Sequence, residues 1–494
     1  MLRKIRIILA VAVFTLVTLL FLDFTGTLHA WFGFLARVQF LPAVLAMNFG
    51  VVAALLLLTL LFGRVYCSVV CPLGVMQDIF GYFGRKSRKN RYSYSPAKNL
   101  LRYGVLAVFV AALTLGAGSL VALLAPYSAY GRIAQNILTP LWGWGNNLLA
   151  YIAERADSYA FYTTDVWFKD AATFAVAALT LVILGVLAWR SGRTYCNTVC
   201  PVGTVLGFVS RFSIFRPVID TSKCNGCTLC SRGCKASCID AENHKIDYSR
   251  CVVCMDCIDR CKHGAISYTF RRPAAHASEP ATGGSGISRR GFLSLSAFMA
   301  STSLLRAQEK KTEGGLAIIE DKRIPDRTTP IVPAGAVGLR NMASHCTACQ
   351  LCVSVCPNGV LRPSGKLATL MQPEMSYERG YCRPECVKCS EVCPTGAIRP
   401  ISVPDKSSVQ IGHAVWVKKN CVVLTDGVEC GNCARHCPVG AITMVRSEKD
   451  NPRSPKIPAV NTERCIGCGA CENLCPARPF SAIYVEGHQV HRTV

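Results

Sequence analysis

Charge is scarce in this sequence, and acidic charge is scarcest. Of 494 residues 17% are charged, with 30 Asp and Glu against 54 Lys and Arg. Soluble domains average about 25% charged residues. That shortage, with a mean hydropathy of +0.31, excludes an ordinary soluble chain and requires membrane segments. Three motifs are missing as well. There is no glycine-rich nucleotide loop after a strand, no flavin fingerprint and no C-x-x-C-H. Direct reduction by NADH and covalent haem attachment are therefore not expected.

Cysteine is abundant, with 29 residues. Nearly all fall in C-x2-C-x2-C-x3-C runs or close variants, a repeated tight spacing that disulfide frameworks do not show. Three thiolates in so short a loop wrap one iron–sulfur cubane, and the fourth completes a neighbouring one. Cys224, Cys227, Cys230 and Cys234 form one run, and Cys251, Cys254, Cys257 and Cys261 another. The expected exchange gives one cluster Cys224, Cys227, Cys230 and Cys261, and the other Cys251, Cys254, Cys257 and Cys234. Lys235 and Lys262 stand where proline usually follows the fourth cysteine, and Cys238 is an extra thiol, read as a spare rather than a ligand.

Four further runs lie toward the C-terminus. Cys346, Cys349, Cys352 and Cys356 have the standard spacing, as do Cys465, Cys468, Cys471 and Cys475. Between them Cys382, Cys386, Cys389 and Cys393 have a first loop longer by one residue. Cys421, Cys430, Cys433 and Cys437 have a first loop of eight residues. The long first loops mark the middle runs as an inner pair, so nested pairing is expected, with side-by-side pairing as the alternative. In all, about six 4Fe-4S clusters are expected.

The net charge of +24 does not indicate nucleic acid. It counts every thiol as neutral, and six clusters at about −2 each would remove about 12 charges. Much of the rest flanks apolar stretches, as the positive-inside rule expects.

Four such stretches, 7–22, 43–62, 104–125 and 171–189, are long enough to span a bilayer. Arg3, Lys4 and Arg6 precede the first. Arg64, Arg85, Lys86, Arg88, Lys89, Arg91 and Lys98 lie between the second and third, and Arg190, Arg193, Arg211 and Arg216 follow the fourth. Both ends of the four-helix unit are therefore expected on the cytoplasmic side. The apolar stretch 134–151 contains Pro140, Gly143 and Gly145, so it is expected as a broken loop, at most a short fifth span.

GRVYCSVVCPLG (63–74) and GRTYCNTVCPVG (192–203) agree at eight of twelve positions. Each follows an even-numbered span. A duplicated two-helix unit would gather Cys67, Cys71, Cys196 and Cys200 on one membrane face. Four thiolates there suit a metal or cluster, redox-active pairs, or a structural turn with buried thiols.

The expected architecture is an α-helical membrane bundle plus α+β ferredoxin-like 4Fe-4S domains. Residues 1–216 form the membrane domain, 217–270 a two-cluster domain, 271–287 a flexible linker and 306–494 a four-cluster domain. Between these last two, SRRGFL opens segment 288–305, which reads as a twin-arginine export signal or anchor.

With these motifs in view, residues 1–270 resemble the membrane quinol-dehydrogenase component of periplasmic nitrate reductase systems. Residues 288–494, with GYCRPECVKCSEVCPTGAI at 380–398, resemble its exported four-cluster partner. The nitrous-oxide reductase regulators and methylamine-utilisation ferredoxins share the same parts. The resemblance implies a multi-pass protein of the bacterial inner membrane with its four-cluster domain on the periplasmic side. It implies oxidation of quinol from the lipid pool and electron transfer to an extracytoplasmic reductase or c-type cytochrome. A non-enzymatic redox-sensing or maturation protein is the alternative. No residue stands out as a quinol base; Asp23, His29 and Glu154 are the outward-side candidates, each more readily structural.

Overall fold

A computed structural model describes residues 1–23, 26–88, 92–270, 320–448 and 451–493. The expected linker 271–287 and twin-arginine segment 288–305 lie outside the described residues.

Two described helices are long and apolar enough to cross a bilayer, Leu2–Leu22 and Ala171–Ser191, each of 21 residues. At 1.5 Å per residue each reaches about 30 Å, the thickness of a hydrocarbon core. Only 22% of an 18-residue apolar window of each is buried.

The other two expected spans are divided. Stretch 43–62 breaks where Met47 takes φ 52° and Asn48 caps the helix Phe49–Phe62, its Oδ1 accepting the Val51 N–H at 3.2 Å. Stretch 104–125 breaks at Gly116, φ 72°, into Asn99–Thr114 and Gly118–Leu124. Stretch 134–151, expected as a broken loop, is helical. Pro126–Ile133 runs through a π-helical turn, Ala134–Leu138, into Thr139–Arg155. Pro140 closely follows that π-helical turn, where the helix departs from the usual i→i−4 ladder that a proline cannot join. Trp142 and Trp144 are exposed there.

The cysteine-rich modules are built from short antiparallel strand pairs. Phe215–Ile219 pairs with Ile266–Phe270, closing the two-cluster module end to end. In the C-terminal module Val409–Trp416 pairs with Ile483–Thr493, while Leu361–Pro363 pairs with Pro373–Met375.

These modules meet opposite ends of Leu2–Leu22. At its start, Arg3 pairs with Asp256 at 2.8 Å and Asp259 at 3.0 Å, both in the two-cluster module. Near its end, Phe21 packs beside Gly131, which lies against the backbone of Cys349 in the four-cluster module. Other contacts fix that second docking. Asn136 Nδ2 donates to Gln350 Oε1 at 2.8 Å and Lys169 Nζ to the Val353 carbonyl at 3.2 Å. Burial pulls Lys169 down to about 8. The guanidinium groups of Arg362 and Arg379 lie over Trp167 at 4.4 and 4.5 Å.

A Cβ on Gly131 would collide with the Cys349 carbonyl. Gly131→Ala should weaken docking of the four-cluster module by about 1–3 kcal/mol, the usual cost of overpacking. Limited proteolysis should then cut the module free faster than in the unaltered protein. An unchanged cleavage rate would contradict the packing described.

Candidate metal centres

Each standard run curls through the left-handed region on both sides of its second cysteine. Gly226 and Thr228 have φ 71° and 57°, Val253 and Met255 50° and 63°, Ala348 and Gln350 53° and 64°, Gly467 and Gly469 74° and 81°. Non-glycine residues take this conformation at a cost that is retained where function needs the loop. The curl folds three thiols around one space. Backbone N–H groups then aim at fourth thiols: Ala265 at Cys261 Sγ (3.2 Å), Ala441 at Cys437 Sγ (3.2 Å) and Ala482 at Cys475 Sγ (3.3 Å).

In the two-cluster module one cavity, of about 430 Å³, is lined by Cys224, Cys227, Cys230 and Cys261. A second, of about 400 Å³, is lined by Cys251, Cys254, Cys257 and Cys234. These are the two sets expected from spacing. Cys238 also lines the second, its Sγ 3.5 Å from Cys234 Sγ, so the thiol read as a spare shares a cavity with the expected ligands.

The C-terminal module departs from expectation. One cavity, of about 540 Å³, is lined by Cys382, Cys386, Cys389 and Cys356. Another, of about 380 Å³, is lined by Cys421, Cys430, Cys433 and Cys475. Cys346, Cys349 and Cys352 group with Cys393. Likewise Cys465, Cys468 and Cys471 are electrostatic neighbours, and Cys437 lies beside Cys465 and Cys468. Pairing is thus side by side, first run with second and third with fourth, not nested. The cause is strand pairing: Val409–Trp416 and Ile483–Thr493 bracket the third and fourth runs as one unit. The two units join where the Cys382 N–H donates to the Cys468 carbonyl at 2.9 Å and Tyr377 to the Gly467 carbonyl at 2.7 Å.

Among the described residues no three His, Cys, Asp or Glu converge on a single ion. A zinc site needs thiols about 2.3 Å from one point. Here at least four cysteines line each of the cavities above, a donor set that fits a 4Fe-4S cluster.

The repeated motif builds a seventh quartet. Gly63 and Gly192, φ 72° and 67°, end the preceding helices. Arg64 and Arg193 then cross over. Arg64 Nη2 donates to the Cys196 carbonyl at 3.3 Å, and Arg193 Nη1 donates to the Cys67 carbonyl. Pro72 and Pro201 start the following helices. Gly74 and Gly203 leave room for the carbonyls and the crossing guanidinium groups, which a Cβ would strike. Cys67, Cys71, Cys196 and Cys200 are all buried and interact electrostatically with one another. Gln77 Nε2 donates to Cys196 Sγ at 3.3 Å and the Gly203 N–H to Cys200 Sγ at 3.3 Å.

Charge supplies an independent test of what this quartet holds. Arg64, Arg132 and Arg193 are fully buried. Arg193 has Asp78 at 2.7 Å. Arg64 and Arg132 have no carboxylate partner among the described residues: Arg64 bonds carbonyls, an amide and Cys67 Sγ, and Arg132 Nη1 bonds the Ala122 carbonyl at 2.6 Å. An unpaired buried cation is costly. An anionic thiolate-bound cluster at the quartet would compensate Arg64, whose Nη2 meets Cys67 Sγ, so the residues present fit such a group; Arg132 lies instead toward Cys349. Seven quartets then use every one of the 29 cysteines except Cys238.

Asp78 and Lys235 tie this quartet to the two-cluster module. Lys235 Nζ pairs with Asp78 at 2.8 Å and Asp256 at 3.4 Å, and its carbonyl accepts the Arg193 N–H at 2.8 Å. Lysine in place of the usual proline is thus a docking residue. The neighbouring Arg193 and Lys235 hold the Asp78 carboxyl well below the usual range. On the other side, the Tyr195 hydroxyl donates to the Leu124 carbonyl at 3.2 Å, next to the buried Pro126–Ile133 helix, and Arg132 lies within electrostatic reach of both Tyr195 and Cys349.

Asp23 and His29 come together, with Nδ1 3.2 Å from Oδ2. Asp23 also accepts the N–H groups of Gly26, Leu28 and His29, which is turn structure. Glu154 is exposed near the end of its helix. Arg132 and Lys235 escaped sequence reasoning, although a lysine replacing the proline was a readable signal.

A 4Fe-4S binding domain family matches twice, at residues 44–91 and 172–219, over the two halves of the repeat. A 4Fe-4S dicluster domain matches 428–478 and a 4Fe-4S binding domain 342–362. An uncharacterised protein of Methanocaldococcus jannaschii is 40% identical over 96 residues, 19% of this chain and 38% of its own length. The methylamine utilization ferredoxin-type protein MauM of Methylobacillus flagellatus is 30% identical over 168 residues, 33% of this chain and 70% of its own. The ferredoxin-type protein NapH of Escherichia coli is 26% identical over 239 residues, 47% of this chain and 70% of its own. The chain thus spans well under two thirds of the first of these relatives. No solved structure matches significantly.

Asp78→Asn would leave Arg193 and Lys235 short of their shared anion. It should cost about 3–5 kcal/mol, as for a broken buried pair, read as a lower unfolding temperature. Because the Asp78 pKa is depressed, its contribution is complete above about pH 4, the ordinary carboxylate value, and is lost as pH falls below it. A variant as stable as the unaltered protein at pH 7 would contradict this.

Proposed function

The chain belongs to the ferredoxin-type family of the methylamine-utilisation protein MauM, and from that premise we propose that it oxidises quinol at a membrane and passes the electrons to an extracytoplasmic reductase or c-type cytochrome. That it is an iron–sulfur electron-transfer protein follows from its several 4Fe-4S domains and ferredoxin-type relatives. The quinol donor, the acceptor, the ligand assignments and the sidedness are the proposal.

One observation carries it: the two-cluster module docks at the start of Leu2–Leu22 and the four-cluster module at its end, with the central quartet tied to the first through Lys235 and reaching toward the second through Tyr195 and Arg132. The two-cluster module docks through Lys235 on the Arg64–Arg193 layer. The central quartet lies within that layer, and the Pro126–Ile133 helix separates it from Cys349. From there the side-by-side pairs continue to the quartet of Cys421, Cys430, Cys433 and Cys475. Clusters supply one-electron storage, whereas quinol gives two electrons and two protons. The chain's own residues fix spacing, exclude water and place N–H groups on sulfur, which set potential.

In this reading the bundle is embedded with four membrane segments, those of 43–62 and 104–125 being broken. The basic end, with Arg3, Arg6 and Arg85, faces the cytoplasm. The four-cluster module lies outside, exported through segment 288–305. One chain then joins the parts of the membrane component and of its exported partner, and the tether spares their diffusional encounter.

Anaerobically purified protein, titrated with duroquinol and followed by EPR, should show reduced-cluster signals. Cys200→Ser should block quinol reduction of the four-cluster module by at least tenfold while dithionite still reduces it. Failure of quinol to reduce any cluster would overturn the proposal.

A further inference from the structure

A cavity of about 350 Å³ opens between the first half of Leu2–Leu22 and the helix Pro72–Arg88. Small-molecule sites commonly measure about 300–1000 Å³. Its two ends differ in chemistry. One wall is apolar, from Ala10, Val75 and Ile79 to Phe83. Its mouth reaches the exposed side chains of Val11 and Phe83, 55% and 52% accessible, on the face a lipid tail would meet. The inner end holds Gln77, Asp78, Lys235 and Asp256.

That inner end lies between two thiol quartets. Gln77 donates to Cys196 Sγ at 3.3 Å, in the central quartet. Lys235 and Asp256 are chain neighbours of Cys234 and Cys257, in the two-cluster module. Three of the four cations in the lining are held in ion pairs: Arg6 and Lys235 pair with Asp78 at 3.2 and 2.8 Å, and Arg3 pairs with Asp256 at 2.8 Å. Arg85, at the lip, has no carboxylate partner among the described residues, so the lining is net positive. The apolar wall is what suits an apolar ring rather than a bare anion, while the paired groups at the inner end offer hydrogen bonds to its oxygens.

We propose that this cavity binds the ring of a lipid-soluble quinone or quinol, its oxygens toward Gln77 and Lys235 and its tail leaving between Val11 and Phe83. The inference rests on the quinol reading above and deepens it. It moves the site away from Asp23, His29 and Glu154, to the basic end of the bundle, beside the two quartets that would receive the electrons.

Photocrosslinking of the full chain in detergent tests it, with an azido-decylbenzoquinone as the probe and peptide mapping as the readout. Adducts are expected on 7–11 and 75–83. Ile79→Trp, and separately Ala10→Phe from the facing wall, should each lower adduct yield at least tenfold, with iron content unchanged. Adducts confined to the Asp23–His29 end, or undiminished in both variants, would overturn this site while leaving the quinol reading intact. So would adducts competed away by phosphatidylglycerol but not by phosphatidylcholine, which would identify an anionic headgroup site. No adduct anywhere, together with no reduction by duroquinol, would overturn both.

Discussion

Arg64 and Arg193 each leave their own half of the repeat to bind a cysteine carbonyl of the other half. The exchange locks two copies of one motif into a single layer and brings two positive charges out of water. Each charge needs an answer. Arg193 finds Asp78, which in turn holds Lys235 and so fastens the two-cluster module to the bundle. Arg64 finds only neutral acceptors and Cys67, so an anionic cluster held by the thiol quartet would supply its answer. Stability and electron transfer would then lean on the same contacts, because cations that hold the layer together would also favour reduction of a centre at the quartet.

The same logic reaches the four-cluster module. Arg132 lies in a wholly buried helix between the central quartet and Cys349, with Nε and Nη2 unpartnered. Gly131 beside it allows backbone to meet backbone. A close, water-free contact is what a chain of one-electron carriers requires between neighbours. The helix that supplies it comes from the middle of the sequence rather than from either cysteine-rich module.

Sequence exposed the cysteine runs because a cubane fixes ligand spacing within a loop, and it exposed the exchange of Cys234 and Cys261 for the same reason. It did not fix how the last four runs pair. That depends on Val409–Trp416 meeting Ile483–Thr493, a long-range choice that loop length does not encode. The duplicated motif was legible as a repeat, yet the crossing of its arginines was not, since each partner lies in the other copy. Gly116 and Asn48 divide apolar stretches that composition alone reads as continuous. Pro140 looked like a breaker, yet the chain stays helical through it by way of a π-helical turn just before it. Arg132 was invisible because no carboxylate near it in sequence or space, among the described residues, marks it as a paired cation.

Iron and acid-labile sulfide per chain, measured on oxygen-free preparations, test the central claim most directly. Seven occupied quartets predict about 28 of each, falling by about four in a Cys67→Ser, Cys196→Ser double variant. A value of about 24 that the double variant leaves unchanged would contradict a cluster at the central quartet.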